Sequence, residues 1–189
     1  MSIDALYKEL MGTGPSPDYV MKQLHPIPDA QVVNRVEFIL SACKGKKVLD
    51  IGSSGFLRGL LKEHCTLTGL DRVPGSDIQC DVEKDELPDG EFDIIIAGEI
   101  IEHLSNPGVF LDKLKKYTCP VIITVPNAFG DNSARTGIEN VNLEHVAWYS
   151  YHTLKSLVER HGYAIEEWNW QHGKPYTAEG LIFVVKKEG

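Results

Sequence analysis

The sequence has no long apolar run. Nothing in it approaches the roughly 18 residues that a membrane helix requires, and the first residues carry no apolar signal core, so neither a membrane span nor secretion is expected. Paired cysteines are missing too. Cys43, Cys65, Cys80 and Cys119 stand far apart, without the spacing of a zinc ribbon or a disulfide framework, and the expected compartment is a reducing cytoplasm. Basic residues are in deficit: 19 Lys and Arg face 27 Asp and Glu, for a net charge of -8. Non-specific nucleic-acid binding through a broad basic face is therefore not expected, because counterion release needs clustered cations. What is present is 189 residues with 42% hydrophobic content, enough to bury one sizeable core.

Proline and glycine concentrate early. Gly12, Gly14, Pro15, Pro17, Pro26 and Pro28 interrupt regular structure, so residues 1–28 read as a loop-rich arm, either a surface extension or a lid carrying Tyr7 or Tyr19. Residues 29–189 read as one domain. From Asp29 to Ala42, Val32, Val33, Val36, Phe38, Ile39 and Leu40 recur with roughly helical spacing, with Asp29 placed to cap. A second helix is expected over Asn106 to Tyr117, with Pro107 in its first turn and Val109, Phe110, Leu111 and Leu114 as its apolar face. A third covers Tyr151 to His161, stopped by Gly162. Strand signals fall between these: Leu67 to Asp71, Ile78 to Cys80, Phe92 to Ala97, Val121 to Val125, Tyr163 to Trp170 and Leu181 to Lys187. Alternating strands and helices imply a mostly parallel sheet with ligands at the carboxyl ends of its strands.

The chain is organised around Val48-Leu49-Asp50-Ile51-Gly52-Ser53-Ser54-Gly55, an apolar strand ending in a small-residue turn that feeds a helix over Phe56 to His64. Gly52 and Gly55 let the backbone turn sharply and approach a ligand, and the helix start offers amide donors. About twenty residues on, Leu70-Asp71 places an acid at the end of the next strand, where a carboxylate can accept hydrogen bonds from ribose hydroxyls. Cys80-Asp81-Val82 ends a third strand, with Asp81 either a turn acid or an adenine-side contact.

Taken in this order, the set resembles the class I S-adenosylmethionine-dependent methyltransferases, from about Lys47 to the C-terminus. One departure is visible: where that family carries three alternating glycines, Ser54 takes the second place and Gly55 arrives one position early, so the loop is one residue shorter. The resemblance implies a Rossmann-like α/β fold, with a seven-stranded, mostly parallel sheet, a reversed C-terminal hairpin and helices on both faces. It also implies S-adenosylmethionine as cofactor, held by Asp50, Gly52, Ser53, Ser54, Gly55, Asp71, Arg72, Asp81, Val82 and Glu99.

After the fourth strand comes Gly98-Glu99-Ile100-Ile101-Glu102-His103-Leu104. On a helical turn its acids and imidazole would share a face, and crowded carboxylates call for protons, hydrogen bonds or a cation. Glu144-His145 offers a further imidazole beyond a long loop. This stretch resembles two metal-using branches of the family, the small-RNA 2'-O-methyltransferases and the ubiquinone-pathway O-methyltransferases. That likeness places Glu99, Glu102, His103 and His145 at metal-ligand positions for magnesium, manganese, iron, cobalt, nickel or zinc. The other reading has Glu99 at the methionine end of the cofactor, Glu102 solvated or capping, and His103 as a base or a satisfied loop histidine.

The expected activity is methyl transfer to an oxygen of a small molecule or sugar, with His103 or His145 assisting deprotonation; the net charge disfavours a nucleic-acid acceptor without excluding a terminal nucleotide of RNA. N-methylation of an amine without metal, and a non-catalytic binding module, stand as alternatives. The loop from Ala128 to Asn142, with Arg135 as its strong cation, is expected to order on ligand binding. Trp148, Trp168 and Trp170 read as core or rim aromatics, and the assembly as a monomer or homodimer.

Overall fold

The computed structural model describes residues 27–53, 55–128, 130, 144–173 and 178–189. Residues 1–26, carrying Tyr7 and Tyr19, lie outside them, as do Ser54 and most of the long loop with Arg135.

Strand β1 is only Val32–Val33, and helix α1 follows as Arg35–Cys43. The helix expected from Asp29 therefore starts later. Asn34, in extended conformation, accepts the amides of Val36 (2.9 Å) and Glu37 (3.2 Å), a stronger start than Asp29 could give because it frees the two valines for the sheet edge. Strand β2 (Lys47–Ile51) leads through the glycine turn into α2 (Gly55–His64), β3 (Thr66–Asp71) and the short β4 (Ile78–Gln79). Strand β5 (Ile94–Gly98), a 3-10 turn (Ile101–His103), α3 (Pro107–Leu114), β6 (Val121–Pro126), α4 (Tyr151–Arg160), β7 (Tyr163–Gln171) and β8 (Gly180–Lys187) complete the order.

Helix α3 is shorter than its periodicity predicts. Asn106 caps it from outside, and its last carbonyls pass into three-residue turns, with Lys115 N on Asp112 O and Tyr117 N on Leu114 O. Val109, expected on its apolar face, is exposed.

The sheet order is β1-β7-β8-β6-β5-β2-β3-β4, all neighbours parallel except the two made by β8. The reversed C-terminal hairpin is present. The expected seven strands become eight through Val32–Val33, which pairs with Trp170 and Gln171 at the sheet edge. Alternate residues feed the two faces. Val48, Ile94, Ile96, Ile122 and Ile182 pack with Ile39, Cys43 and Leu61 of α1 and α2, whereas Leu49, Ile51, Ile95, Ile123 and Phe183 pack with α3 and α4. Helices therefore cover both faces, and the free carboxyl ends of β2, β3, β5 and β6 are left to form a site. Among the described residues no helix is long and apolar enough to cross a membrane.

Candidate active site

A cavity of about 470 Å³ opens at those strand ends. Gly52, Leu70, Asp71, Arg72, Asp81 and Val82 line one side; Arg35, Gly98, Glu99, Ile100, His103 and Thr124 line the other. Its size falls within the roughly 300–1,000 Å³ usual for a small-molecule site.

The turn is built by β2 and β3. Gly52 and Ser53 donate their amides to Leu70 O at 2.8 and 3.0 Å, which folds the chain back over the next strand. Gly52 has φ 77°, and a Cβ there would lie 2.2 Å from Ile100 Cδ1, so glycine is required both by conformation and by space. Asp50 and Ser53 are buried and do not line the cavity, and Gly55, exposed at the start of α2, does not line it either. Burial pushes the Asp50 carboxyl up to about 6, against the opposing effects of a hydrogen bond with Ser53 and the charge of Arg58.

Asp71 ends β3 in the cavity wall, with Oδ1 accepting Val73 N at 3.0 Å and its other oxygen turned to no described partner in the hydrogen-bond network. Asp81 is a turn acid, accepting Glu83 N (3.1 Å) and pairing with Lys84 (2.6 Å), and it also lines the cavity. Those two partners, Lys84 first, hold its carboxyl below the usual range. Glu99 departs from the expected helical turn. Its φ of 54° puts it in the left-handed region at the end of β5, where it accepts the Thr124 hydroxyl (2.9 Å) and pairs with Arg35 (2.9 Å). Arg35 and Thr124 are cavity residues that sequence reasoning passed over. The signal available for Arg35 was Asn34 as the true cap, which puts the arginine in the helix's first turn.

Glu102 sits in the 3-10 turn at 1% exposure, and neither carboxylate oxygen has a hydrogen-bond partner among the described residues. Burial, then the charge of Glu99, pushes its carboxyl up to about 8. Its backbone carbonyl accepts Val146 N (2.8 Å) and Ala147 N (3.2 Å), and an Asn127–Tyr149 bridge holds the same segment to the end of β6. That pinning brings His145 to His103, their rings perpendicular at 4.7 Å between centroids. Ligand atoms of Glu102, His103 and His145 all lie within 4.8 Å of one another. Glu99, expected among them, is outside this group, since its left-handed backbone and its Arg35 and Thr124 partners turn it elsewhere. His103 Nδ1 lies 3.1 Å from Glu144 O; a carbonyl only accepts, so Nδ1 carries the proton and a neutral ring keeps Nε2 bare, 3.9 Å from Glu102 Oε1. Burial and the neighbouring His103 hold His145 below its ordinary pKa, which favours its neutral, ligating form.

The sequence profile of the methyltransferase-domain family matches residues 29–167, and the chain belongs to that family, the class I S-adenosylmethionine-dependent methyltransferases. Solved structures of the same fold include the small RNA methyltransferase HEN1 (TM-score 0.65, 16% identity, covering 88% of this chain). This chain spans 27% of the HEN1 chain. The 1,6-didemethyltoxoflavin-N1-methyltransferase of Burkholderia thailandensis, with its substrate and S-adenosylhomocysteine bound, gives a TM-score of 0.62 at 14% identity, covering 98% of this chain and 88% of that one. The N-methyltransferase NodS of Bradyrhizobium japonicum gives 0.57 at 18% identity, covering 82% and 92%. No curated protein matches in sequence.

Proposed function

We propose that this chain transfers the methyl group of S-adenosylmethionine to an oxygen of a small molecule, a sugar or a terminal nucleotide. The observation that carries the oxygen reading is the buried Glu102 carboxylate, whose two oxygens have no hydrogen-bond partner among the described residues, beside two imidazoles of which one, His103, lines the cavity that also presents Asp71 and Asp81.

The residues suit the cofactor. Asp71 lines the cavity where ribose hydroxyls need an acceptor, and Asp81 and Val82 lie further along the same wall. Across it, Arg35 and Glu99 offer one charge of each sign to an amino-acid group. Gly52 keeps the floor free of a side chain. When bound, the cofactor supplies an already activated methyl, so the protein's part is alignment and removal of the acceptor's proton. With no cation beside it, the bare Nε2 of His103, held in its tautomer by Glu144 O, is the group for that task; with a cation the same nitrogen would be a ligand instead.

Glu102, His103 and His145 also fit a divalent cation. A buried carboxylate without hydrogen bonds is costly alone and is relieved by a positive charge between its oxygens and the imidazoles. Such an ion would supply Lewis acidity and a template for acceptor oxygens.

A screen of hydroxyl and amine acceptors with labelled S-adenosylmethionine, with and without chelator, tests the reading. Label on a hydroxyl acceptor, lost on chelation, supports it. Label on amines alone, unchanged by chelator, favours the N-methyl alternative, the activity named for two of the structural neighbours. Binding of S-adenosylhomocysteine with no transfer to any acceptor leaves the binding module.

A further inference from the structure

Outside the cavity lining runs a polar network that no cavity residue explains. Arg58, on the first turns of α2, is mostly buried, with its side chain 14% exposed. One arm of its guanidinium, Nη1, donates to Ser53 Oγ at 3.1 Å, and the other, Nη2, pairs with Asp77 Oδ1 at 2.8 Å. Asp77 in turn accepts Gly69 N through Oδ2 at 2.7 Å, which fastens the pair to β3. Ser76 Oγ reaches Ser53 O at 3.4 Å from the same loop. Gly69 is what makes room: a Cβ there would lie 1.7 Å from Arg58 Nη1 and 2.5 Å from Ser53 Oγ. Its backbone is an ordinary strand at a position paired with Asp50, so the glycine serves space and not a turn.

We propose that Arg58 is a positioning residue for the cofactor, acting through Ser53: its two-armed guanidinium ties the Gly52-Ser53 start of the turn to Asp77 and β3, and so sets that backbone in its ligand-ready form. This rests on the cofactor reading of the cavity. Both glycines of the turn take left-handed backbone, φ 77° and 63°, and an unbraced turn of this kind loses conformational freedom on meeting a ligand. Bracing it beforehand moves that loss from binding to folding. Arginine suits the place because its planar fork can address a hydroxyl and a carboxylate at once, where a lysine ammonium would hold one of them at full strength. None of Arg58, Ser53, Gly69 or Asp77 lines the cavity, so an effect on affinity passes through the backbone they brace, at Gly52 and Ser53 on one side and β3 on the other.

Isothermal titration of S-adenosylhomocysteine against wild type, Arg58→Met, Arg58→Lys, Ser53→Ala and the Ser53→Ala/Arg58→Met double variant tests this, with thermal melting to confirm that each is folded. Folded Arg58→Met should bind about tenfold more weakly, the loss expected for one charge-assisted hydrogen bond, and Arg58→Lys should recover only part of it. The double variant should bind more tightly than the product of the two single losses predicts, because both changes cut the Arg58–Ser53 link, although Ser53→Ala also removes a hydrogen bond with Asp50 and Arg58→Met the pair with Asp77. Wild-type affinity in folded Arg58→Met, or losses that simply multiply in the double variant, would overturn the proposal. Should Arg58→Met not fold, Asp77→Asn removes the outer anchor and should weaken binding about threefold or more; unchanged affinity there overturns it equally. Wild type that fails to bind S-adenosylhomocysteine overturns the cofactor reading itself, a result distinct from any change among the variants.

Discussion

The two sides of the cavity are built on opposite terms. On the β3–β4 side the acids are partnered and stand in the open wall: Asp71 takes Val73 N on one oxygen, and Asp81 takes Glu83 N and Lys84. On the β5 side Glu102 is sealed at 1% exposure beside His103 and His145, with neither oxygen partnered among the described residues. A partnered acid can accept a ligand hydroxyl without changing its own state, whereas an unpartnered buried one is a standing cost that a proton or a cation must offset. The first side is suited to holding, the second to chemistry.

That division can be broken or sharpened by experiment. The largest effect is expected from Gly52→Val, which strains a φ of 77° and drives a branched side chain into Ile100 beneath the shared floor. S-adenosylhomocysteine binding should disappear from titrations at high micromolar concentration, and retained binding would separate Gly52 from the cofactor. Next comes Glu102→Gln. Turnover should fall on the order of 100-fold, as for loss of a group acting on the reacting centre, while S-adenosylhomocysteine affinity stays within about twofold and the melting temperature does not drop. An affinity loss as large as the turnover loss would erase the distinction between the two sides.

Asp71→Ala is expected to do the reverse, weakening S-adenosylhomocysteine about 10- to 100-fold with the fold intact, since the lost acceptor served ligand hydroxyls. Calorimetry beside a melting curve reads both. The smallest effect concerns Asp50, which is buried and does not line the cavity. Its folded carboxyl is raised from 3.8 to about 6 by burial, so the folded state binds the proton more tightly than the unfolded one. Its contribution to stability is therefore full below pH 4 and lost as pH rises through 6. Asp50→Asn lacks that slope, and its stability relative to wild type should grow by about 2 kcal/mol between pH 4 and 7. Parallel stability curves for the two proteins would show that Asp50 is not proton-linked.

Much of the holding side was legible in the chain because its signals are local. A buried strand, a glycine turn and an acid at the next strand's end are read from a few adjacent residues each, and Gly52, Asp71, Arg72, Asp81 and Val82 do line one wall. The chemical side depends on long-range contacts. Glu102 is held in a long-range setting, its carbonyl accepting the amides of Val146 and Ala147 more than forty positions later, and no periodicity announces that. Glu99 was misplaced for a related reason: acids at three-residue spacing suggest a helix face, but a left-handed residue at a strand end breaks the helix before it starts. At Val32–Val33 the helical spacing was real, yet pairing with β7 outweighed it.

The place of β8 bears on how the molecule is made. It lies between β7 and β6 near the middle of the sheet, although it follows every other strand in the chain. As the polypeptide leaves the ribosome, Val121–Val125 can join β5 on one side while their other edge stays open until residues 180–187 emerge. A buried apolar strand with a vacant edge is the form in which chains add to one another. The sheet can be completed only once residues 180–187 are made, and slow synthesis of that segment would prolong the interval in which a nascent chain is open to aggregation and to chaperone capture.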